Sequence, residues 1–455
     1  MTKIKGFKAY DIRGKVPGEL NLDLAYKIGR VYSKLITRYL PEVKTGKIIV
    51  GHDVRKSSTE LSEALIRGIN DSGVNVIDIG LCGTEMIYFA TPYFNAEGGI
   101  MITASHNPPE YNGMKFVKRD SVPVGYDSGL NKVEKLILDN NLGKISDSKG
   151  SVSGHNIMEP FINNLSKFYV PDKINPFKVV VNGGNGCVGL ALDAIENRLP
   201  IQMIKVFTQP DPEFPNGVPN PLLPENRKPT IEAVIKNEAN LGVAWDGDYD
   251  RCFFFDEKGN FIEGYYIVGL LAKSILKNHA EEKIVHDPRL VWNTLEVVNK
   301  AGGKAVVSKS GHAYIKEKMR EVNAVYGGEM SAHHYFRDNA FSDSGMIPFL
   351  LVLQLMSEEK KKLSELVDEM IEAYPCSGEI NSTIEDPSAK IKEIESKYSD
   401  GKIDELDGLS VEYEDWRFNL RMSNTEPILR LNVESKSNIK LLKKKTKELL
   451  KLIRG

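Results

Sequence analysis

The pattern of apolar and polar residues predicts that strands and helices alternate along most of the chain. Ile48–Gly51 is an apolar run typical of a buried strand, and Ser57 and Ser58 can cap a helix that runs to about Asn70. Val74–Ile79 then resumes the sheet, and the polar segment Asp147–Gly154 is typical of a linker. Further strands are predicted at Gly98–Thr103, Lys178–Asn182, Ile201–Phe207, Leu241–Trp245, Cys252–Phe255, Lys283–Asp287 and Ala305–Ser308. Because helical patterns separate many of these strands, we expect a series of α/β units.

The pattern changes beyond Pro375. Strands are predicted at Leu409–Tyr413, Arg417–Met422 and Leu429–Val433, and one amphipathic helix follows them. This order is typical of an α+β unit. The helix carries several lysines on one face, which we interpret as a solvated face of a packed helix.

Length and composition place the chain among ordinary globular proteins of several domains. It has 455 residues, of which 41% are hydrophobic and 27% are charged. The net charge of −2 argues against nucleic acid or an anionic membrane as a partner. The longest apolar stretches are too short to span a membrane, and no signal segment is visible at the start. The four widely spaced cysteines fit neither a disulfide framework nor a zinc site, so we expect a reducing, cytoplasmic location.

Three carboxylates crowd the turn after the predicted strand Leu241–Trp245. Asp246, Asp248 and Asp250 alternate within five residues, and Arg251 follows directly. Carboxylates this close repel one another unless a cation neutralises them, and hard oxygen ligands select Mg²⁺, Ca²⁺ or Mn²⁺. An EF-hand is excluded because Arg251 stands where the turn glycine should be and strands flank the loop. A solvated acidic turn remains the simpler alternative, but the buried strand favours a metal site open to a phosphate.

A second cluster ends the strand Gly98–Thr103. Thr103–Pro108 places Ser105 beside His106 at the end of a strand, where a serine is well exposed for chemistry. The segment is not a hydrolase nucleophile elbow. Taken alone, the segment is more typical of a polar turn, with His106 as an ordinary loop histidine.

A third cluster, Arg421–Pro427 with Arg430, groups two guanidiniums with hydroxyl and amide groups. Planar guanidiniums match phosphate oxygens, and hydroxyls and backbone N–H groups complete such a site. A surface turn with arginines at its rim would show the same pattern.

A fourth cluster follows two glycines at Gly327–Phe336. Glu329, Ser331, His333 and His334 lie together there, and carboxylate and hydroxyl groups of this kind suit sugar hydroxyls. A two-histidine metal site is the alternative, although no third ligand stands at a suitable spacing.

Together, the four clusters in this order resemble the α-D-phosphohexomutase superfamily. The resemblance runs from Tyr10–Gly14 to the terminal helix, and it is nearest to the bacterial phosphomannomutase branch. It implies an α/β fold of four domains around a central cleft, three similar α/β domains with mixed sheets and a smaller α+β C-terminal domain. The implied boundaries are 1–150 for the phosphoserine domain, 151–256 for the metal-binding domain, 257–368 for the sugar-binding domain and 369–455 for the phosphate-binding domain.

The resemblance also implies a role for each matching residue. Ser105 would be phosphorylated and would share one Mg²⁺ with Asp246, Asp248 and Asp250. Glu329, Ser331 and His333 would bind the sugar. The phosphate that does not react would be bound by Arg421, Ser423, Asn424, Thr425 and Arg430. The reacting centre would be surrounded by Arg13, His106, Lys115, Arg251 and His333.

The implied activity interconverts mannose 6-phosphate and mannose 1-phosphate through phosphoserine and a hexose 1,6-bisphosphate, which also acts as activator. A phosphoglucomutase or a bifunctional enzyme is the nearest alternative, and a phosphoglucosamine mutase is a further one. Two alternatives belong to other function classes, namely a phosphatase and a non-catalytic sugar-phosphate-binding protein. His333 and Lys115 are both candidates for the general base. The chain departs from the bifunctional enzymes at Ala332, where they usually have glycine, and at Asp287–Arg289, where they carry a lysine.

Overall fold

The computed structural model describes residues 3–38, 46–422 and 428–455. The chain divides into two compact units. The first comprises Met1–Phe261 and Asp338–Lys360, and the second comprises Ile262–Arg337 and Lys361–Gly455.

The first unit begins with a mixed six-stranded sheet. Its strands are β1 (Ile12–Lys15), β2 (Lys47–His52), β3 (Asn75–Leu81), β4 (Gly98–Ile102), β5 (Tyr111–Lys118) and β6 (Val152–Gly154). They lie in the order β1-β5-β4-β2-β3-β6. Strand β5 pairs antiparallel with β1 and β4, and the other neighbouring pairs are parallel. The accompanying helices are α1 (Leu22–Arg38), α2 (Ser58–Asn70), α3 (Thr84–Tyr93) and α4 (Asn131–Leu138). Strand β4 is buried along its whole length, which explains its unbroken apolar run.

The second sheet of this unit has the same mixed character. Its strands are β7 (Lys178–Asn182), β8 (Gln202–Val206), β9 (Leu241–Trp245), β10 (Cys252–Phe255) and β11 (Phe261–Ile262), in the order β11-β10-β9-β7-β8. Strands β8 and β9 flank β7 in parallel, and β10 pairs antiparallel with β9. The helices are α5 (Met158–Leu165), α6 (Val188–Ile195) and α7 (Lys228–Asn237).

The second unit begins with a third mixed sheet. Helix α8 (Gly264–Leu276) leads into β12 (Lys283–His286), α9 (Trp292–Lys300), β13 (Lys304–Val307), α10 (His312–Val322), β14 (Tyr326–Gly328) and β15 (His334–Phe336). Strands β13 and β14 flank β12 in parallel, and β15 is antiparallel to β14. The next two elements, β16 (Ser342–Asp343) and α11 (Met346–Glu359), belong to the first unit, and α12 (Leu363–Ala373) returns to the second.

The C-terminal part of the second unit is an antiparallel α+β module. Its elements are β17 (Ile380–Thr383), α13 (Pro387–Lys397), β18 (Lys402–Asp404), β19 (Leu409–Glu412), β20 (Trp416–Met422), β21 (Ile428–Ser435) and α14 (Ile439–Arg454). The strand order is β17-β21-β20-β19-β18, and every pair is antiparallel. On helix α14, Leu442, Leu449 and Ile453 are buried and join the core of this module.

These observations confirm the predicted fold class of three mixed α/β sheets and a smaller α+β module. The arrangement around a cleft and the four domain boundaries stay predictions. Two local expectations were wrong. Val152–Gly154, predicted as part of a linker, adds a strand to β3. Ser57 makes no capping hydrogen bond, and the Ser58 hydroxyl donates to Asp53 at 2.5 Å.

None of the described helices combines the length and the apolar character needed to cross a lipid bilayer. All four cysteines are described, and each is a free thiol.

Candidate active site

The candidate loops occupy equivalent places in the sheets. In each of the first three sheets, a parallel strand ends in a loop that leads to an antiparallel neighbour. The loop between β4 and β5 carries Ser105, the loop between β9 and β10 carries the three aspartates, and the loop between β14 and β15 carries Glu329, Ser331 and His333. Loops at the carboxyl ends of parallel strands are the usual place for ligand-binding residues in α/β sheets.

Ser105 is held in a conformation that is costly for a non-glycine residue. Its φ of 51° lies in the left-handed region, and such positions cost about 1–3 kcal/mol unless their surroundings impose them. Its backbone N–H donates to Thr103 Oγ1 at 2.8 Å. Its hydroxyl donates to Asp246 Oδ2 at 2.7 Å, so the loops of the first and second sheets meet at the side chain predicted to carry phosphate.

The buried guanidinium of Arg55 binds the backbone of this loop. It donates four hydrogen bonds to backbone carbonyl oxygens, at 2.8 Å to Ser105, 2.6 Å to Asn107, 2.7 Å to Pro108 and 3.0 Å to Tyr111. The prediction from sequence missed Arg55. The only available signal was a charged pair, Asp53 and Arg55, directly after a strand, and this pair does not reveal which carbonyls the guanidinium reaches.

Gly247 allows the two loops to approach closely. A β-carbon on Gly247 would lie 2.5 Å from the carbonyl oxygen of Ser105, a distance at which one of the loops would have to move. Backbone hydrogen bonds fix the aspartate loop on both sides, because Cys187 N–H donates to Gly247 O and Thr84 N–H donates to Asp248 O, each at 3.0 Å. Any larger residue at position 247 would therefore separate Ser105 from the aspartates.

Asp246, Asp248 and Asp250 form a compact set of ligand oxygens. Each offers one carboxylate oxygen, and the three oxygens lie within 4.8 Å of one another. All three residues are buried, and Asp248 Oδ1 is a buried atom with no hydrogen-bond partner. A buried carboxylate oxygen is normally satisfied, so its lone pairs indicate a missing partner. The donor set fits a hard divalent cation.

Lys115 neutralises part of this negative charge. Its ammonium donates to Asp248 Oδ2 at 2.7 Å and to Asp250 Oδ2 at 2.5 Å. Burial alone would lower the pKa of Lys115, but the two carboxylates outweigh burial and raise it. Burial raises the pKa of Asp248, but Lys115, then Thr84 and Arg251, together outweigh burial and hold this pKa below its ordinary value. The ammonium and the carboxylate are therefore both charged at neutral pH.

Arg251 and His106 contact Ser105 from the other side. Arg251 donates to Asp246 Oδ2 at 2.8 Å, to Ser105 Oγ at 3.4 Å and to His106 Nδ1 at 2.5 Å. Burial, and next the charge of Arg251, hold the pKa of His106 well below its ordinary range. His106 is therefore a neutral imidazole that accepts a hydrogen bond.

Arg13 flanks the same loop. It donates to Asn107 Oδ1 at 2.5 Å and to Asp11 Oδ2 at 2.6 Å. The structure thus brings together the predicted residues of the first unit, namely Arg13, Ser105, His106, Lys115, Asp246, Asp248, Asp250 and Arg251.

In the second unit, Glu329 and Ser331 share a contact with Arg289. The Arg289 guanidinium lies 3.3 Å from both Glu329 Oε1 and Ser331 Oγ, and it pairs with Asp287 through two bonds of 2.9 Å. His333 closes the same loop, since its carbonyl oxygen accepts from Glu329 N–H at 2.9 Å. From the sequence, Asp287–Arg289 stood out only as a departure from the bifunctional enzymes, and Arg289 was given no role of its own.

His334 is a core residue. It is fully buried and its Nδ1 lies 2.7 Å from the Tyr326 hydroxyl. Burial, followed by the nearby His333, lowers the pKa of His334 to about 3. Its neutral ring stacks on Tyr326, which favours a packing role over the alternative two-histidine metal site.

Arg421 and Arg430 face each other across the paired strands β20 and β21. Both guanidiniums contact Glu379, each at 3.3 Å. The predicted phosphate-binding residues Ser423, Asn424 and Thr425 lie outside the described residues.

Comparison with known sequences gives four consecutive matches. Models of the phosphoglucomutase/phosphomannomutase alpha/beta/alpha domains I, II and III match residues 5–143, 159–259 and 263–374, and the model of the C-terminal domain matches residues 379–449.

Full-length relatives agree with these matches. A phosphomannomutase of Salmonella montevideo is 50% identical, with 100% of both chains covered. A protein of Xanthomonas campestris named for phosphohexose mutases is 49% identical over 99% of this chain and 100% of its own. A crystal structure of a phosphoglucomutase/phosphomannomutase family protein from Burkholderia thailandensis is 29% identical, covers 100% of this chain and 98% of its own, and superimposes with a TM-score of 0.87.

Proposed function

Because the chain belongs to the phosphoglucomutase/phosphomannomutase family, whose members are intramolecular phosphotransferases of the isomerase class, we propose that it interconverts mannose 6-phosphate and mannose 1-phosphate. The reaction would pass through phosphorylated Ser105 and a hexose 1,6-bisphosphate. The relatives named for the mannose reaction support this choice, since they are about half identical over the full chain.

The observation that carries the proposal is the contact between Ser105 and the aspartate set. Three carboxylates face two cations, Lys115 and Arg251, so the set already has a surplus of one negative charge. A phosphate on Ser105 would add about −1.5 to −2 at neutral pH. Phosphorylation at this place therefore needs a divalent cation.

We propose Mg²⁺ as that cation, held by Asp246, Asp248, Asp250 and an oxygen of the phosphorylated Ser105. When bound, Mg²⁺ supplies Lewis-acid polarisation of the phosphoryl group and compensates the charge that develops on it. The orphaned oxygen of Asp248 and the all-oxygen donor set support this assignment.

The chain's own groups align the transfer and compensate charge, which is most of what phosphoryl transfer requires of a protein. The bond from phosphorus to Ser105 Oγ breaks while a bond to the free sugar hydroxyl forms, and the hydroxyl proton leaves to a base. Arg251 lies within reach of Ser105 Oγ and would stabilise the negative charge that returns to this oxygen. The bisphosphate then reorients, and its other phosphoryl group returns to Ser105.

Of the two candidates for the base, the structure favours His333 over Lys115. Lys115 is charged and donates to two carboxylates, and these contacts raise its pKa. A base must have a lone pair, which this ammonium lacks at neutral pH. Lys115 would instead supply positive charge at the reacting centre.

The second unit would supply the substrate contacts. Glu329 and Ser331 would bind sugar hydroxyls, with His333 beside them, since the carboxylate and hydroxyl share one loop. The phosphate that does not react would be bound by Arg421, Ser423, Asn424, Thr425 and Arg430. Paired guanidiniums on adjacent strands match the oxygens of a phosphate.

A phosphoglucomutase, or an enzyme that acts on both sugars, is the second candidate. The Xanthomonas campestris relative is as similar as the phosphomannomutases, and its name covers phosphohexoses in general. Mannose and glucose differ only in the configuration at C2, so the same phosphate-transfer groups would serve either sugar.

The test is a ³¹P NMR assay with mannose 1-phosphate, glucose 1-phosphate and glucosamine 6-phosphate as separate substrates, each with a trace of hexose 1,6-bisphosphate. We expect the fastest conversion with mannose 1-phosphate and none with Ser105→Ala or without Mg²⁺. A strong preference for either glucose-type substrate would overturn the mannose assignment. Release of inorganic phosphate as the main product would indicate a phosphatase.

A further inference from the structure

One carboxylate, that of Glu379, lies at the centre of three arginines. Arg289 Nη1 lies 3.4 Å from Oε2, Arg421 Nη2 donates to the same oxygen at 3.3 Å, and Arg430 Nη1 donates to Oε1 at 3.3 Å. Glu379 lies outside the four sequence clusters and is more than forty residues from each arginine of the proposed phosphate site.

The backbone around Glu379 is fixed against β21. The carbonyl oxygen of Gly378 accepts from Asn432 Nδ2 at 3.1 Å, and Ser377 Oγ accepts from Val433 N–H at 2.9 Å. Directly after Glu379, Ile380 pairs with Leu431 in the sheet. The backbone is therefore fixed on both sides of Glu379, so its carboxylate extends from a fixed point beside β21.

The charges leave room for an incoming anion. Arg421 and Arg430 together exceed Glu379 by one positive charge, and Arg289 has its own counterion in Asp287. Burial raises the pKa of Glu379, but Arg289 and then the other two arginines outweigh burial and lower it. Glu379 is thus a permanent anion at neutral pH.

Arg289 extends this arrangement to the sugar loop. The same guanidinium that contacts Glu379 also contacts Glu329 and Ser331. One continuous set of side chains therefore joins the proposed sugar-binding groups to the proposed phosphate-binding arginines within the second unit.

We propose that Glu379 is a positioning residue that orients Arg421 and Arg430 for the phosphate group of the substrate and, through Arg289, aligns them with the sugar loop. This inference rests on the proposed function. Without the carboxylate, two like-charged side chains on adjacent strands repel each other and lose their common orientation, and an unordered arginine binds phosphate less well because it must be immobilised on binding.

The alternative is that Glu379 only reduces the positive charge, and the two roles predict opposite signs. Glu379→Gln removes one negative charge beside a site for an anion. If charge alone mattered, sugar phosphate would bind more tightly to this variant. If Glu379 positions the arginines, binding weakens although the site becomes more positive.

The experiment compares the full-length wild type with Glu379→Gln by steady-state kinetics on mannose 1-phosphate and by calorimetric titration with inorganic phosphate. We expect KM and the phosphate dissociation constant to rise about tenfold, which corresponds to the loss of about one charge-assisted hydrogen bond. We expect kcat to change less than about threefold. A decrease or no change in both constants would overturn the inference.

Glu412→Gln is the matched control. It removes the same charge from the same sheet, where Glu412 contacts Lys402 and Arg417 at 3.9 and 3.8 Å, and it should leave both constants unchanged. Glu379→Asp keeps the charge but shortens the side chain by one methylene, so the carboxylate lies farther from the arginines. It should raise KM and the phosphate dissociation constant by a factor between one and that of Glu379→Gln. If Glu379→Gln does not fold, unchanged constants in Glu379→Asp would overturn the positioning role.

The calorimetric arm separates this inference from the proposed function. If the wild type binds phosphate but does not convert mannose 1-phosphate, the proposed function fails. A weakened phosphate site in Glu379→Gln would still support the role of Glu379 in that case.

Discussion

Ser105 Oγ donates a 2.7 Å hydrogen bond to Asp246 Oδ2, although the two residues are 141 positions apart in the chain. Neither partner is exposed, so the contact forms only when the loops of the first two sheets are packed together. It places the group that would carry phosphate directly on a proposed metal ligand.

Asp246→Asn should uncouple metal binding from Ser105. The amide keeps the shape of the side chain but removes one of three negative charges, so we expect weaker Mn²⁺ binding by calorimetry and a kcat reduced at least about a hundredfold. Asp193→Asn is the control, since Asp193 pairs with Lys205 at the surface of the same unit. Wild-type metal affinity in Asp246→Asn would show that this carboxylate is not a ligand.

Arg55→Lys should weaken catalysis without weakening metal binding. An ammonium is a single point of charge and cannot reach the four carbonyl oxygens that the planar guanidinium bridges, so Ser105 would relax from its left-handed conformation. We expect kcat to fall about 10- to 100-fold and unfolding free energy to fall by about 2–4 kcal/mol, because buried carbonyl groups lose their donors.

Arg67→Lys, an exposed position on α2, is the matched control for Arg55→Lys and should change neither quantity. Urea unfolding measures the stability of both variants, and Mn²⁺ titration measures metal affinity. If Arg55→Lys were destabilised but turned over at the wild-type rate, the loop would not depend on Arg55 for its catalytic conformation.

Much of the fold follows from the sequence because buried strands carry a strong apolar signal. The strands Leu241–Trp245 and Cys252–Phe255 lie where the sequence places them, since both are buried throughout. Val152–Gly154 was missed because its three residues are exposed and form no apolar run, and only their pairing with β3 makes them a strand.

The site was predictable to the extent that its residues are adjacent in sequence. The aspartates and the Ser105 loop form local motifs, so they could be identified. Arg55 and Glu379 could not, because their partners lie about 40–50 residues or more away and include backbone carbonyl groups that no residue type reveals.

Lys115→Met should make stability strongly dependent on a divalent cation. In the wild type, Lys115 compensates Asp248 and Asp250, and removing one partner of such a buried set typically costs about 3–5 kcal/mol. A cation that binds only the folded protein restores about 2.7 kcal/mol at a concentration 100 times its dissociation constant. We therefore expect a larger loss of unfolding free energy in EDTA than in saturating Mg²⁺. Equal losses in both conditions would contradict a shared role for Lys115 and the cation.

The stability of the second unit should decrease on mild acidification because of His334. Its pKa is about 3 in the folded chain, because burial excludes the charged ring, whereas an unfolded histidine titrates near 6.5. Between these values the unfolded chain binds the proton and the folded chain does not. The contribution of the neutral His334 ring to the free energy of unfolding is therefore complete above about pH 6.5 and is lost as the pH falls. From pH 7.5 to 5, this one group should lower the free energy of unfolding by about 2 kcal/mol.

The measurement is urea unfolding at pH 7.5, 6.5, 5.5 and 5.0 for the wild type and for His334→Gln, which can still accept a hydrogen bond from Tyr326 but does not titrate. We expect the variant to be less stable than the wild type at pH 7.5 and to lose less stability on acidification, because one proton-binding group is gone. His279→Gln provides the control, since His279 follows α8 in the same unit and is only half-buried. Its pH dependence should match that of the wild type, and an unchanged slope in His334→Gln would mean that the buried ring takes up its proton without unfolding.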